Sequence, residues 1–294
     1  MRAAVYRRFG GPDVVRVEEV PTPAPGRGEV LVRVHASTVS AADHRARSRD
    51  VPRGLRVLAS AGIGTFRPSR RVLGMDVAGV VEAVGPGATR FGPGDEVVAM
   101  LGGRCGGHAE YAVVPEGGAI TRTPRGMTSE EAVTLVFGGI TARAFLRQVD
   151  LRAGSTVLVT GASGAVGTAV VQLAAHAGAR VTAVCRGTHR EITDLPGLLR
   201  AATRRRSRGK RLVAGPGPWR AEDLAFVVAL AEQGRYRAVA DRTYDLSEVA
   251  EAHRFVDAGR KKGNVVLRIA GGGAPQQDGR SARTGRATSR EAAS

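Results

Sequence analysis

Residues Thr156 to Gly167 read Thr-Val-Leu-Val-Thr-Gly-Ala-Ser-Gly-Ala-Val-Gly, and no other stretch restricts the fold of this chain as strongly. Val157, Leu158 and Val159 form a short apolar run between Gly154 and Gly161, the pattern of a strand buried on both faces in a parallel sheet. Ala162 to Gly167 then fits the dinucleotide fingerprint with Ala162 in place of its first glycine, and Gly161 just before it supplies the tight turn. From Ala165 the pattern is helical, with Val166, Val170, Val171 and Ala174 on one face and Gly178 as the stop. Free backbone N–H groups at such a helix start face an anion the size of a diphosphate. The candidate cofactor loop is therefore Gly161, Ala162, Ser163, Gly164, Ala165, Val166 and Gly167. A tight strand-to-helix turn with no ligand is the bland alternative.

Context favours the nucleotide. Arg180 to Val184 is a second apolar strand at βαβ distance. Where an NAD site needs an acidic residue, the chain reads Cys185-Arg186-Gly187. Arg186 repels no phosphate and pairs with a 2′-phosphate, which predicts NADP(H) over NAD(H).

Charge raises a competing class. The chain of 294 residues carries a net charge of +17, concentrated in eight Arg against Asp50 over residues 45–71 and seven basic residues over 200–211. A polyanion partner is one implication. Aromatic content is only 4%, too little for a base-stacking surface, and no helix-turn-helix or RNA-binding motif is visible, so no nucleic-acid partner is expected. The two cysteines, Cys105 and Cys185, have no metal-type spacing and predict neither a disulfide scaffold nor a zinc site. Residues 1–10 contain no apolar leader core and no run reaches the length of a membrane span, so a soluble cytoplasmic protein without a membrane partner is expected.

Residues 1–130 read as β-rich. Ala3 to Tyr6 is a strand, Pro21 to Gly26 is a breaker, and Val30, Val32 and Val34 alternate with Leu31, Arg33 and His35 as a half-buried strand. Val77 to Val81 and Glu96 to Met100 follow, separated by turns at Pro86-Gly87 and Gly92 to Asp95, which together predict a compact barrel-like unit. Thr128 and Glu131 form a capping box for a helix running to Leu146. Further on come a short helix over Leu195 to Ala202, a weak strand Leu212 to Ala214 and a helix Glu222 to Glu232. A strand Arg237 to Ala240, a helix Leu246 to Ala258 capped by Asp245 or Ser247, and a strand Val265 to Ile269 complete the reading. Gly271 to Ser294 has no core residue and is expected to be disordered.

These pieces, taken in order, resemble the medium-chain dehydrogenase/reductase superfamily, in its zinc-free quinone-oxidoreductase-like branch. The matching motifs are Gly28 to Val34, Leu73 to Gly85, Gly94 to Val97, Ala109 to Tyr111, Thr160 to Gly167 and Gly259 to Val266. They cover about residues 1–188 and 195–270. The resemblance implies an α/β protein: a GroES-like β-barrel domain over 1–130 with a returning segment 238–270, and a truncated Rossmann domain, a doubly wound parallel sheet, over 131–237. It also implies hydride transfer from NADP(H) to a quinone or conjugated enone. Zinc-dependent relatives place Cys and Gly-His-Glu where this chain has Ser40 and Gly74-Met75-Asp76, and Ser and Met are poor zinc ligands. By similarity Ser40 and Asp43 lie at the catalytic cleft, Thr141 approaches the cofactor phosphates, and Lys262 and Asn264 reach them as well. Asp43 has a structural turn role as its alternative; His44 is read as a surface residue and His108 as a loop residue.

One departure is large. After Gly187 the sequence passes almost directly to the late helix, so the strands of the nicotinamide-binding half have no counterpart. The leading reading is an NADPH-dependent quinone or enone reductase; the second is a non-catalytic nucleotide-binding or interaction protein derived by internal deletion. An uncovered edge on the first core strand is an association hazard that Leu212 to Ala214 or a second chain would cover, so a homodimer or a poorly soluble product is expected.

Overall fold

The computed structural model describes residues 1–50, 64–185, 206–207, 210–211, 213, 215, 217–237 and 239–269. Arg186, the helix expected over 195–202, Leu212, Ala214 and the tail from 271 lie outside the described residues.

Strand β1 (Arg2–Tyr6) pairs antiparallel with β2 (Val15–Glu19). The spine of the first unit is β3 (Glu29–Val39). Strand β4 (Asp76–Val84) runs along one edge of it, while β6 (Tyr111–Pro115) and β13 (Asn264–Arg268) share the other. Strand β5 (Glu96–Met100) continues from β4 and β7 (Ala119–Arg122) from β5, and β12 (Ala240–Asp245) lies parallel to β13 at the far end. The chain thus returns, after some 200 residues, to complete the sheet it began. Because β3 has neighbours on both edges and is covered on both faces, only Arg33 along it is exposed. The half-buried strand expected from its alternation is therefore a fully central one.

The two faces of this sheet differ in side-chain size. One carries Val30, Val32, Val34, Val77, Val97 and Leu267 into a core closed by β1, β2 and helix α5 (Val249–Asp257). The other presents Ala36, Ala78, Val98 and Val266 to helix α2 (Ser129–Leu146), and small residues there let the helix approach closely. Thr128 and Glu131 cap α2 reciprocally as the sequence predicts. This helix is apolar all round because the sheet lies on one side and helices α3 (Ala165–His176) and α4 (Ala221–Glu232) on the other.

Strand β8 (Thr156–Thr160), α3 and β9 (Arg180–Val184) form the expected βαβ unit, with β8 and β9 parallel. One expectation is corrected here. Strand β8 is not buried on both faces: Val159 is buried, but Leu158 is 64% exposed. Among the described residues no third strand joins β8 and β9, so the helices cover a single face of a two-stranded sheet. The buried stripe of α3 is Ala165, Ala169, Leu173 and Ala174, with Val166 and Val170 at its margin, because α3 is held between α2 and the strands. Gly178 adopts φ +77° and ends the helix as predicted.

In the basic run, two-residue strands β10 (Arg206–Ser207) and β11 (Lys210–Arg211) pair with each other, and Val213 belongs to no strand. Strand β12 begins at Ala240 rather than at Arg237. The Gln172 amide on α3 takes both backbone groups of Arg237, at 2.8 and 3.0 Å, and holds that residue off the sheet. Before α5 a short 3-10 turn, Leu246–Glu248, is capped by Asp245 with Glu248 as its reciprocal partner.

Candidate functional site

Gly161 takes φ +69°, a conformation favourable only to glycine, and turns the chain sharply out of β8. The fingerprint then makes two different uses of its other glycines. A Cβ on Gly167 would lie 2.1 Å from the Gly161 carbonyl oxygen, so Gly167 is required for the loop to close on itself. A Cβ on Gly164 would meet nothing nearer than that same oxygen at 3.7 Å, so Gly164 leaves space in front of the helix start. Ser163, Gly164 and Ala165 thus ring an opening at the N-terminus of α3, where backbone N–H groups and the helix dipole favour an anion.

Helix α2 crosses this loop closely: a Cβ on Gly138 would come within 2.7 Å of the Ala165 carbonyl oxygen. Thr141, one turn further on the same side of α2, is buried, and its hydroxyl has no hydrogen-bond partner among the described residues. A buried hydroxyl without a partner costs about 1 to 3 kcal/mol. Its position beside the loop makes a ligand oxygen the natural complement.

The segment preceding β13 docks on the other side of the loop. Gly263 N–H donates to the Ser163 carbonyl at 2.7 Å, and Gly164 and Gly263 form a parallel bridge. Asn264 is buried and donates its side-chain amide to the carbonyls of Thr134 at 3.2 Å and Val239 at 3.1 Å, which ties α2 and the approach to β12 to the loop. Lys262 is exposed and bonds through its backbone N–H to Asp241 at 2.5 Å. Its neighbour Lys261 is the inward-turned lysine, donating from Nζ to the Gly263 carbonyl at 2.9 Å. Burial pushes the Lys261 ammonium down to about 8 against the opposing pull of Asp241 and Asp43. The resemblance points to Lys262, and two adjacent lysines before a glycine carry no local signal that separates them.

Ser40 and Asp43 are brought together, but as the capping box of α1 (Ala41–Ser48). Asp43 Oδ2 accepts from Ser40 N–H at 2.9 Å and from Ser40 Oγ at 2.6 Å, and Oδ1 accepts from Gly74 N–H at 2.9 Å. Asp43 is fully buried and fixes the turn at Gly74, whose φ is +91°. Nearby, Asp76 is buried between β3 and β4, where Thr38 donates to it from both N–H (2.8 Å) and Oγ1 (2.7 Å). Burial pushes the Asp76 carboxyl up to about 7, despite those hydrogen bonds. These donors do not suit zinc: Ser40 and Asp43 saturate each other, Asp76 is engaged by Thr38, and burial holds the Cys105 thiol protonated by pushing it up to about 11. Among the described residues no group of three or more His, Cys, Asp or Glu side chains is arranged to hold a metal ion.

His44 departs from its reading as a surface residue, while His108 lies in a loop as read but is buried there. His44 bonds Asp257 through Nδ1 at 2.6 Å, and the fully buried Arg47 joins the same carboxylate at 2.5 Å, tying α1 to α5. His108 is fully buried, its Nε2 3.0 Å from the Thr38 carbonyl, and its ring lies edge-on to His253 of α5 at 5.9 Å. His253 was legible in principle, because Val249, Ala252, His253 and Val256 share the helical stripe of α5.

Residues 26–125 match the alcohol dehydrogenase GroES-like domain family and residues 121–267 the zinc-binding dehydrogenase family. The chain is 28% identical over 335 residues to the chloroplastic quinone-oxidoreductase QR1 of Triphysaria versicolor, covering 91% of this chain and 98% of that protein. It is 34% identical over 188 residues to human quinone oxidoreductase, a match that spans 62% of this chain and 51% of the human protein. Among solved structures, an NAD-dependent alcohol dehydrogenase superimposes with a TM-score of 0.73 at 26% identity, over 92% of this chain and all of that one. The quinone oxidoreductase of Coxiella burnetii superimposes with a TM-score of 0.76 at 20% identity, over 92% of this chain and 99% of that one, a likeness of fold. Two consecutive domain matches, a full-length relative and the βαβ fingerprint at the junction agree: the chain belongs to the medium-chain dehydrogenase/reductase superfamily, in its quinone-oxidoreductase-like branch.

Proposed function

We propose that this protein is an NADPH-dependent oxidoreductase that reduces a quinone or conjugated enone by hydride transfer without a metal ion. The observation that carries the reading is the unpartnered, buried Thr141 hydroxyl beside a fingerprint loop left open at Gly164. The loop amides and the α3 N-terminus hold the diphosphate, Thr141 donates to a phosphate oxygen, and Arg186 selects the 2′-phosphate. Bound there, a reduced nicotinamide would supply the hydride for an electron-poor carbon, and a solvent proton would complete the hydroquinone or the saturated carbonyl product. The chain's own contribution is orientation and exclusion of water, which needs no strong base. Ser40 and Asp43 support the cleft floor by fixing α1 and the Gly74 turn. The working form is a homodimer in the cytoplasm, in which a second copy covers the exposed Leu158 and Val184.

A titration of purified protein with NADPH and NADH, followed by NADPH oxidation with a simple quinone, tests this directly. Preference for NADPH with turnover supports the reading, and equal affinity for both cofactors contradicts the role of Arg186. Tight binding without turnover favours the nucleotide-binding protein derived by deletion. The two-stranded β8–β9 sheet is the observation in favour of that second reading.

A further inference from the structure

The segment from Arg260 to Asn264 is stitched to the fingerprint loop more tightly than a passing connection requires. Two hydrogen bonds in series separate the Lys261 ammonium from the loop: Nζ to the Gly263 carbonyl at 2.9 Å, and Gly263 N–H to the Ser163 carbonyl at 2.7 Å. The two peptide groups that meet at Gly263 are held by close packing. Its φ is +77°, and a Cβ there would strike the Val239 carbonyl oxygen at 2.3 Å, so the loop and the lysine keep a fixed relation.

A lysine in this place faces an unequal choice. Its present partner is one neutral carbonyl, a weak acceptor for an ammonium compared with an anionic oxygen. The charged groups that face it are Asp241 of β12 and Asp43 of α1. Asp43 is already saturated by Ser40 and Gly74, and Asp241 receives the backbone N–H of Lys262. Within its own segment, Arg260 and Lys262 add only like charge. The loop residues Gly161 to Gly167 are all neutral.

We propose that Lys261 is a further ligand-binding residue of this site, turning from the Gly263 carbonyl to the diphosphate of an incoming dinucleotide. This rests on the nucleotide reading given above and adds a consequence for how the site works. Burial leaves the free ammonium at about 8, and a bound dianionic diphosphate stabilises the charged form. Binding is therefore accompanied by proton uptake around and above that pH, and affinity falls as pH rises through it.

The experiment is a set of calorimetric titrations with NADPH and with adenosine 5′-diphosphate at pH 7.0, 8.0 and 9.5, in two buffers of different ionisation enthalpy. It compares the wild type with Lys261→Gln, which keeps a donor for Gly263, and with Lys261→Arg, which keeps the charge at every pH. For the wild type, Kd is expected to rise about tenfold from pH 7.0 to 9.5, with a buffer-dependent heat at pH 8.0 that reports proton uptake. Lys261→Gln should bind about tenfold more weakly at pH 7.0 with a flat profile, and Lys261→Arg should bind like the wild type at pH 7.0 and stay flat. A Lys261→Gln protein with the wild-type Kd at pH 7.0, or with the wild-type pH profile, overturns the proposal and leaves the nucleotide site standing. Equal weakening in Lys261→Gln and Lys261→Arg also overturns it, since a retained charge must rescue. A wild type that binds neither ligand at any pH removes the nucleotide site itself.

Discussion

At the scale of single residues, the fingerprint glycines separate a requirement of the fold from a requirement of the ligand. Gly167→Ala forces a methyl group against the Gly161 carbonyl, and unfolding by urea should show a loss of about 2 kcal/mol or more. Gly164→Val places its Cβ at an ordinary contact distance, 3.7 Å from the Gly161 carbonyl oxygen, at an ordinary φ of −77°. Its midpoint of unfolding should match the wild type while NADPH binding is lost, and retention of binding would remove the loop from the site. Thr141→Val makes an opposite pair of demands. Removing the orphaned hydroxyl should stabilise the ligand-free protein by up to about 1 kcal/mol and weaken nucleotide binding by about tenfold, read by melting and by titration. Two buried groups set opposing pH limits. The Asp76 carboxyl, raised by burial to about 7, holds a proton that the unfolded chain releases near pH 4, so stability falls as pH rises from about 4 to 7. Burial instead lowers His253 well below its ordinary 6.5, helped by His108, Arg47 and His44 and opposed by Asp257, so stability falls as pH drops through 6.5. Denaturation curves from pH 5 to 8 should lose the first slope in Asp76→Asn and the second in His253→Leu.

At the scale of elements, the sequence reports best where one strong local signal dominates. The capping box of Thr128 and Glu131, the helical stop at Gly178 and the strand Glu96–Met100 appear where the residues predict them. It reports worst where a distant partner decides. Arg237 stays off strand β12 because Gln172, 65 residues earlier, captures its backbone. Alternation along β3 suggests one wet face, but α2 covers that face from elsewhere in the chain. The docking of α4 on α2 depends on Asp223, which is 1% exposed and lies 2.9 Å from Arg147 and 3.9 Å from Arg143. Asp223→Ala leaves both guanidinium groups without their shared carboxylate. A loss of roughly 3 kcal/mol in chemical denaturation is expected, with the GroES-like sheet, built from other contacts, retaining its far-ultraviolet signal longest.

At the scale of the molecule, the parallel sheet is short among the described residues, and this chain is shorter than its full-length match. Ninety-one per cent of its 294 residues takes part in a match that runs over 335, so the relative carries a stretch with no counterpart here. Among the described residues β8 and β9 form a two-stranded parallel sheet, with Leu158 64% and Val184 44% exposed. Because Leu158 is outside the core, Leu158→Lys should leave the melting temperature within about 2 °C of the wild type while shifting light scattering from dimer to monomer. A wild type that already scatters as a monodisperse monomer would rule out that association. The residues alone give the β-rich first unit, the βαβ unit with its turn at Gly161 and the family, but not β2, β6, β7 or α1, because they report local chemistry: glycine conformations, caps and short apolar periods. Only the packed structure set Asp43 on the Gly74 turn, joined the Gly263 N–H to the Ser163 carbonyl, and left the Thr141 hydroxyl without a partner among the described residues. Each of these depends on which distant backbone happens to lie within three ångströms, and no pattern along one chain encodes that distance.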